Sequence, residues 1–200
     1  LYGSWARGQA GPQSDVDVLY VRETGSAVRD ARLVQGVRLD AFVYPEADLA
    51  APGPSLLRAL GGRVIHERLA FGTRLLSTLQ ALHDRGPAPL ADDQRHAAVL
   101  WSHKMLGRFR GRSDVEAQYR RAQLLIQSLE DYFALRDSWF RGPKEALAWL
   151  AQQDADTYQR FERAAQATAS DAAFADLVEA VYHPCDALGA DDTRRAPPVG

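Results

Sequence analysis

The hydrophobic pattern of this chain changes character once, near residue 67, and that change restricts the folds open to it. Before it, short apolar runs with two-residue alternation at 16–21, 37–44 and 63–66 are divided by Gly- and Pro-rich breaks. The longest break, YPEADLAAPGPSLLRALGG, reads as a loop holding a short helix at 55–60. After the change, apolar residues recur at helical spacing, which predicts helices over 69–84, 91–109, 114–136, 144–153, 156–167 and 171–188. Gly86-Pro87, Gly111 and Gly142-Pro143 punctuate them, and Ser113 and Ser170 are the expected N-caps. The expected class is α+β: a small mixed-sheet domain over 1–66, a helical bundle domain over 67–189 and a flexible tail over 190–200.

Composition narrows the function classes. A net charge of -2 implies no general polyanion-binding surface, so nucleic acid is not the expected partner. Cys185, the single cysteine, excludes an internal disulfide framework and suits a reducing cytoplasm. No stretch approaches a membrane-spanning length, and no secretory signal is visible. His66, His83, His96, His103 and His183 show no metal-ligand spacing with one another or with Cys185. Trp101, Trp139 and Trp149 are expected in the bundle core.

The opening stretch, LYGSWARGQAGPQSDVDVLYV, carries chemistry that a plain sheet does not need. Asp15 and Asp17 flank Val16 at the start of an apolar run, so strand periodicity projects both carboxylates from one face. Same-face neighbours along a strand lie about 7 Å apart. Two negative charges held that close repel each other, and a cation is expected between them. Solvated edge charges that oppose aggregation are the plain alternative. Ten residues upstream, Gly3-Ser4 follows a strand end. Glycine lets the backbone approach a bulky anion, and Ser4 adds a hydroxyl beside free N–H groups. In GVRLDAFVY, Asp40 shares a strand face with Arg38, Phe42 and Tyr44, where a carboxylate is costly unless paired or metal-bound. Three carboxylates beside a phosphate cradle suit Mg²⁺, which takes a few carboxylates plus substrate phosphate oxygens.

Gly3-Ser4, then Asp15-Val16-Asp17, then Asp40 on a following strand together resemble the nucleotidyltransferase superfamily of the DNA polymerase β type. The compact LYGSWARG…SDVDVLYV is similar to the minimal and the antibiotic (kanamycin-like) nucleotidyltransferases. The resemblance covers residues 1 to about 44, and the stretch SLEDYFALRDSWFRGPKEALAWL is similar to the helical domains behind such modules. One departure stands out: the family has a helix and a full strand before Gly-Ser, whereas this chain opens at Leu1 on what reads as a strand end. The expectation is that a preceding element is missing or was never present.

The resemblance implies a role for each matching position. Gly3 and Ser4 would contact the β- and γ-phosphates of an NTP, most simply ATP, with Arg7 helping to balance their charge. Asp15 and Asp17 would bind two Mg²⁺ ions. Asp40 would bind the catalytic one and draw a proton from the acceptor hydroxyl. Antibiotic-modifying members take a general base from the helical domain, for which Glu130 and its neighbour Asp131 are candidates, the alternative being solvated surface charges. Lys144, after Gly142-Pro143 at a helix start, is a candidate phosphate contact or a plain surface charge. The expected activity is transfer of an NMP, AMP foremost, to a hydroxyl of an aminoglycoside-like small molecule with release of pyrophosphate. A protein acceptor, as in adenylylating antitoxins, and a non-catalytic nucleotide sensor are the alternatives. A fused helical ribonuclease is disfavoured, because no Arg in the helical half is followed four to six residues on by His. A homodimer that completes the cleft with a second subunit also fits the resemblance.

Overall fold

Residues 28–34, VRDARLV, carry three charges in seven positions and escape the sequence reading, yet they form a strand. In the computed structural model, which describes residues 1–189, β1 (Val16–Arg22), β2 (Val28–Val34) and β3 (Val37–Pro45) form one sheet in the order β1-β3-β2. The charges of β2 belong to a sheet edge, where they deter strand addition. β2 and β3 pair antiparallel through a two-residue turn at Gln35-Gly36, both at positive φ (52° and 81°), as the twist of a tight hairpin favours. β1 joins β3 in parallel, which makes the sheet mixed.

Register sorts the side chains into two faces. Leu19 and Val21 of β1 and Phe42 and Tyr44 of β3 pack on a core of Tyr2, Leu49, Leu56, Ala59, Leu60, Leu75 and Leu79. Leu56 and Ala59 come from the 3₁₀ helix Pro54–Ala59, close to the short helix expected there. Leu75 and Leu79 are one turn apart on α2 (Phe71–Arg85), so that helix belongs with the sheet. The compact units accordingly divide at Gly86-Pro87, rather than after residue 66. The switch of periodicity marks the first helix, not the end of the first core. Residues 63–66 also differ from expectation, since they form no regular strand. Arg63 instead exchanges backbone hydrogen bonds with Leu1, its N–H donating at 2.8 Å and the Leu1 amino group donating back at 3.1 Å.

The second unit is helical throughout: α3 (Asp92–Phe109), α4 (Val115–Ala134), α5 (Pro143–Gln153), α6 (Ala155–Ala164) and α7 (Asp171–Gly189). Phe109, Leu124, Leu150, Leu177 and Tyr182 are fully buried in its core, and Phe109 meets Phe174 edge-on at 5.2 Å. Asp114, not Ser113, caps α4 by accepting from the Ala117 N–H at 3.0 Å, while Ser170 caps α7 through the Ala173 N–H at 3.2 Å. Trp101 is partly buried against the core. Trp149 departs from expectation: it is 46% exposed and rests against Tyr132 and Phe133 at the core's rim. A short turn, α1 (Gly3–Ala6), precedes β1 in the first unit. No described helix is long and apolar enough to cross a membrane. The tail expected over 190–200 and the side chain of Cys185 lie outside the described residues.

Candidate active site

The sheet face that buries Leu19, Val21, Phe42 and Tyr44 turns acidic at its other end. Asp17 and Asp40 are register partners across the parallel β1–β3 pair, on the same face as those apolar residues. Adjacent strands are about 4.8 Å apart, so pairing brings these carboxylates closer than alternation along one strand does for Asp15 and Asp17. Asp15 lies just before β1 and acts on Asp17 through its charge.

The Gly-Ser turn packs directly on this pair. The Tyr2 N–H donates to the Asp17 carbonyl at 3.0 Å, and Gly3 follows with φ +70°. A Cβ at Gly3 would stand 2.0 Å from Asp17 Oδ2, so only glycine admits the carboxylate here. Ser4 is half-buried in the same turn, and its carbonyl accepts from the Gln9 N–H at 2.9 Å. The four residues of α1 make too short a helix to build an appreciable dipole, so a phosphate at Ser4 would depend on local N–H groups and nearby cations. The loop back to β1 is tied by its own bonds. Trp5 Nε1 donates to the Ser14 carbonyl at 3.3 Å, and the Gly11 N–H donates to Ser14 Oγ at 2.9 Å.

Three arginines surround the carboxylates, and two of them were not singled out from the sequence. Arg7 donates to Gln9 Oε1 at 3.3 Å and its charge also favours ionised Asp17. Arg58, from the 3₁₀ helix Pro54–Ala59, stacks on the Phe42 ring at 3.8 Å and donates to the Tyr44 hydroxyl at 2.7 Å. Its charge reaches both Asp17 and Asp40, and its buried Nε has no hydrogen-bond partner. Arg7 and Arg58 thus put positive charge beside Asp17, rather than between Asp15 and Asp17 as strand periodicity suggested. Arg29, from β2, grips Asp40 with both arms of its fork: Nε donates to Oδ1 at 2.7 Å and Nη2 to Oδ2 at 2.9 Å. Arg29 came with the unforeseen strand. Arg58 offered the sequence signal of a cation in an otherwise apolar SLLRAL run.

These surroundings push the two partners apart. Burial, then the charges of Asp40 and Asp15, raise the Asp17 carboxyl above the ordinary range against the pull of Arg7 and Arg58. The Arg29 hydrogen bonds hold Asp40 below it. Burial also pushes the Tyr2 phenol up to about 12, so it stays protonated beside them. The two carboxyls of the pair are thus shifted in opposite directions.

The oxygen donors of Asp17 and Asp40 have the right chemistry for a hard divalent cation. Yet among the described residues no three His, Cys, Asp or Glu side chains gather closely enough to hold one, and both Asp40 oxygens are committed to Arg29. The donors fit the ion; their arrangement does not complete its cage. A cleft of about 750 Å³ in the same unit, lined by Tyr2, Val18, Arg22, Arg63, Glu67 and Phe71 among others, does not include the three aspartates.

The remaining candidates belong to the helical unit. Glu130 is exposed on α4, and Lys144 is exposed in the first turn of α5. Asp131, the neighbour of Glu130, is committed to packing: it accepts from the Tyr182 hydroxyl at 2.7 Å and from Gln127 Nε2 at 2.9 Å. Burial and the Asp131 charge raise the Tyr182 hydroxyl well above the usual phenol range, which keeps it a donor.

No protein-family model matches the chain, and no curated protein matches it. Among solved structures it is similar to a nucleotidyltransferase-like protein from Exiguobacterium sibiricum 255-15, at 11% identity and a TM-score of 0.45. The alignment covers 85% of this chain and 61% of that one, so the chain spans less than two thirds of the neighbour's length.

Proposed function

We propose that this chain is a nucleotidyltransferase that moves an NMP, most simply AMP from ATP, to a hydroxyl of a small-molecule acceptor of the aminoglycoside-like class and releases pyrophosphate. The observation that carries the reading is the packing of Gly3 on Asp17 while Asp17 stands in register with Asp40. That contact joins the Gly-Ser turn, the Asp-x-Asp and the third aspartate into one constellation, as the resemblance of residues 1–44 requires.

In this reading the backbone of Gly3 and Ser4 cradles the β- and γ-phosphates, and Arg7 offsets part of their charge. Asp15, Asp17 and Asp40 would hold two Mg²⁺ ions, which when bound would neutralise charge on the transferring phosphoryl group and the leaving pyrophosphate. Asp40 is the proposed acceptor of the proton from the acceptor hydroxyl, a role for which the Arg29 bonds that hold it ionised must loosen, since they weaken it as a base. Glu130 is the helical unit's candidate for the same task, and its exposure leaves it accessible. Lys144, exposed in the first turn of α5, keeps both readings, a phosphate contact or a plain surface charge.

The test is transfer from α-phosphate-labelled ATP, GTP, CTP and UTP with Mg²⁺ to a panel of aminoglycosides and lincosamides, beside a protein lysate. Label on a small molecule, lost in Asp17→Asn, supports the reading. Label on protein alone replaces the acceptor class, and NTP binding without transfer leaves a sensor.

A further inference from the structure

One of the suitable donors, Asp40, is already held by Arg29. Resting on the reading of Asp15, Asp17 and Asp40 as cation ligands, we propose that Arg29 is a built-in competitor for the divalent cation. Its guanidinium holds Asp40 in the metal-free chain, and the ion binds by displacing it.

The geometry sets the two occupants against each other. Arg29 sits opposite Phe42 and beside the Ala31–Asp40 pair of the β2–β3 ladder, so its side chain rises on the face that carries Asp40. Its fork takes one hydrogen bond from each carboxylate oxygen. A small divalent cation needs oxygen ligands at about 2.1 Å in near-octahedral order. Arg29 leaves each oxygen a second lone pair, but an ion that took up Asp40 there would meet a unit positive charge about 4 Å away, and that repulsion favours release of the guanidinium.

The two partners are also unequally anchored. The Arg29 side chain is 61% exposed and that of Asp40 only 17%. The guanidinium therefore exchanges its carboxylate for water readily, as exposed pairs do, while the ligand stays in place. The Phe42 ring, 5.2 Å from the guanidinium carbon, offers it a resting surface after release. Arg58 does not compete in this way. It is held by Phe42 and Tyr44, and no Asp17 or Asp40 oxygen is its hydrogen-bond partner. It supplies standing positive charge, whereas Arg29 supplies removable charge. The arrangement sets a cation threshold: Asp40 is freed only when the ion out-competes a ligand already in the chain.

The probe is Mn²⁺, titrated at neutral pH without nucleotide into the full chain, with the free ion read by electron paramagnetic resonance. Arg29→Gln is expected to bind Mn²⁺ about tenfold more tightly than the unchanged chain, the scale of removing one unit charge a few ångströms from a dication in a wet site. In the Arg29→Gln/Asp40→Asn double variant that gain disappears, because there is no shared ligand to release. Equal or weaker binding by Arg29→Gln, with binding still lost in Asp40→Asn, overturns the competition and leaves the ligand assignment standing. Saturable binding that Asp17→Asn and Asp40→Asn do not change, or no saturable binding in any variant, overturns the ligand assignment and the competition with it. Should Arg29→Gln fail to fold, Arg29→Lys keeps the charge and loses the fork. It is expected to gain about threefold, and no gain overturns the proposal.

Discussion

Substituting Gly3 by alanine tests the contact on which the site is built, and Gly8 supplies an internal control. Both glycines stand at nearly the same left-handed φ, +70° and +69°. A Cβ at Gly8 meets nothing within 4 Å, whereas at Gly3 it would meet Asp17 Oδ2 at 2.0 Å and Asp17 Cγ at 2.9 Å. The backbone cost is common to the two, about 1–2 kcal/mol. Reduced freedom of the unfolded chain returns about 0.4–1 kcal/mol at each. Only Gly3→Ala must also turn the Asp17 side chain away, at about 0.5–1.5 kcal/mol for a poor rotamer. Gly8→Ala should therefore lose about 0–1.6 kcal/mol and Gly3→Ala about 0.5–1.5 kcal/mol more, the excess belonging to the contact. Urea titration followed by the amide NMR signals of Val18 and Ala41 reports the sheet unit separately from the bundle. A loss in Gly3→Ala no greater than in Gly8→Ala would refute the packing of Asp17 on the turn.

Two further perturbations act through charge. Asp17 has its carboxyl raised by burial and by its acidic neighbours, so its ionised form opposes folding above that raised value. In chelated buffer at neutral pH, Asp17→Asn should match or exceed the unchanged chain in urea midpoint, with the difference closing below about pH 4; a clear loss would show the carboxylate to be structural. Asp171 is the opposite case: it accepts from the Gly111 N–H at 2.6 Å and from Arg121 at 2.6 Å, which hold its carboxyl below the ordinary range. Its contribution is present above the unfolded value of about 3.9 and is lost as pH falls through the lower folded one. The bundle should thus be weakened by Asp171→Asn at neutral pH and much less in strong acid, as a denaturation series over pH would report.

The bundle helices were legible because each carries an unbroken 3.6-residue repeat, and their ends moved by only a few residues where fraying and capping decide. Asp114 displaced Ser113 as a cap because a carboxylate one position on reaches the Ala117 N–H. β2 was illegible for a physical reason: an exposed edge strand need not alternate apolar with polar, and Val28-Arg29-Asp30 carries no face pattern. The domain edge was misplaced because period reports secondary structure, whereas Leu75 and Leu79 bury against the sheet. Within the site, alternation led to the expectation of Asp15 and Asp17 on one side, though Asp15 lies just before β1, and Asp40 could be recognised as a costly charge among apolar neighbours. That Asp17 and Asp40 stand side by side depends on a parallel pairing which no local pattern encodes. The grip of Arg29 on Asp40 depends in turn on the strand that was missed.

The Gln35-Gly36 turn gives that dependence an evolutionary side. A two-residue hairpin fixes the alignment of its strands, and a slip of one position reverses the face on which every β2 side chain projects. One residue inserted there and taken up by the ladder rather than by a longer loop would send Arg29 to the far side of the sheet and bring Asp30 or its neighbours round in its place, with no change at any of the three aspartates. Loop length, commonly the most freely drifting character of a protein, would in this chain be inherited as a setting of its acidic centre.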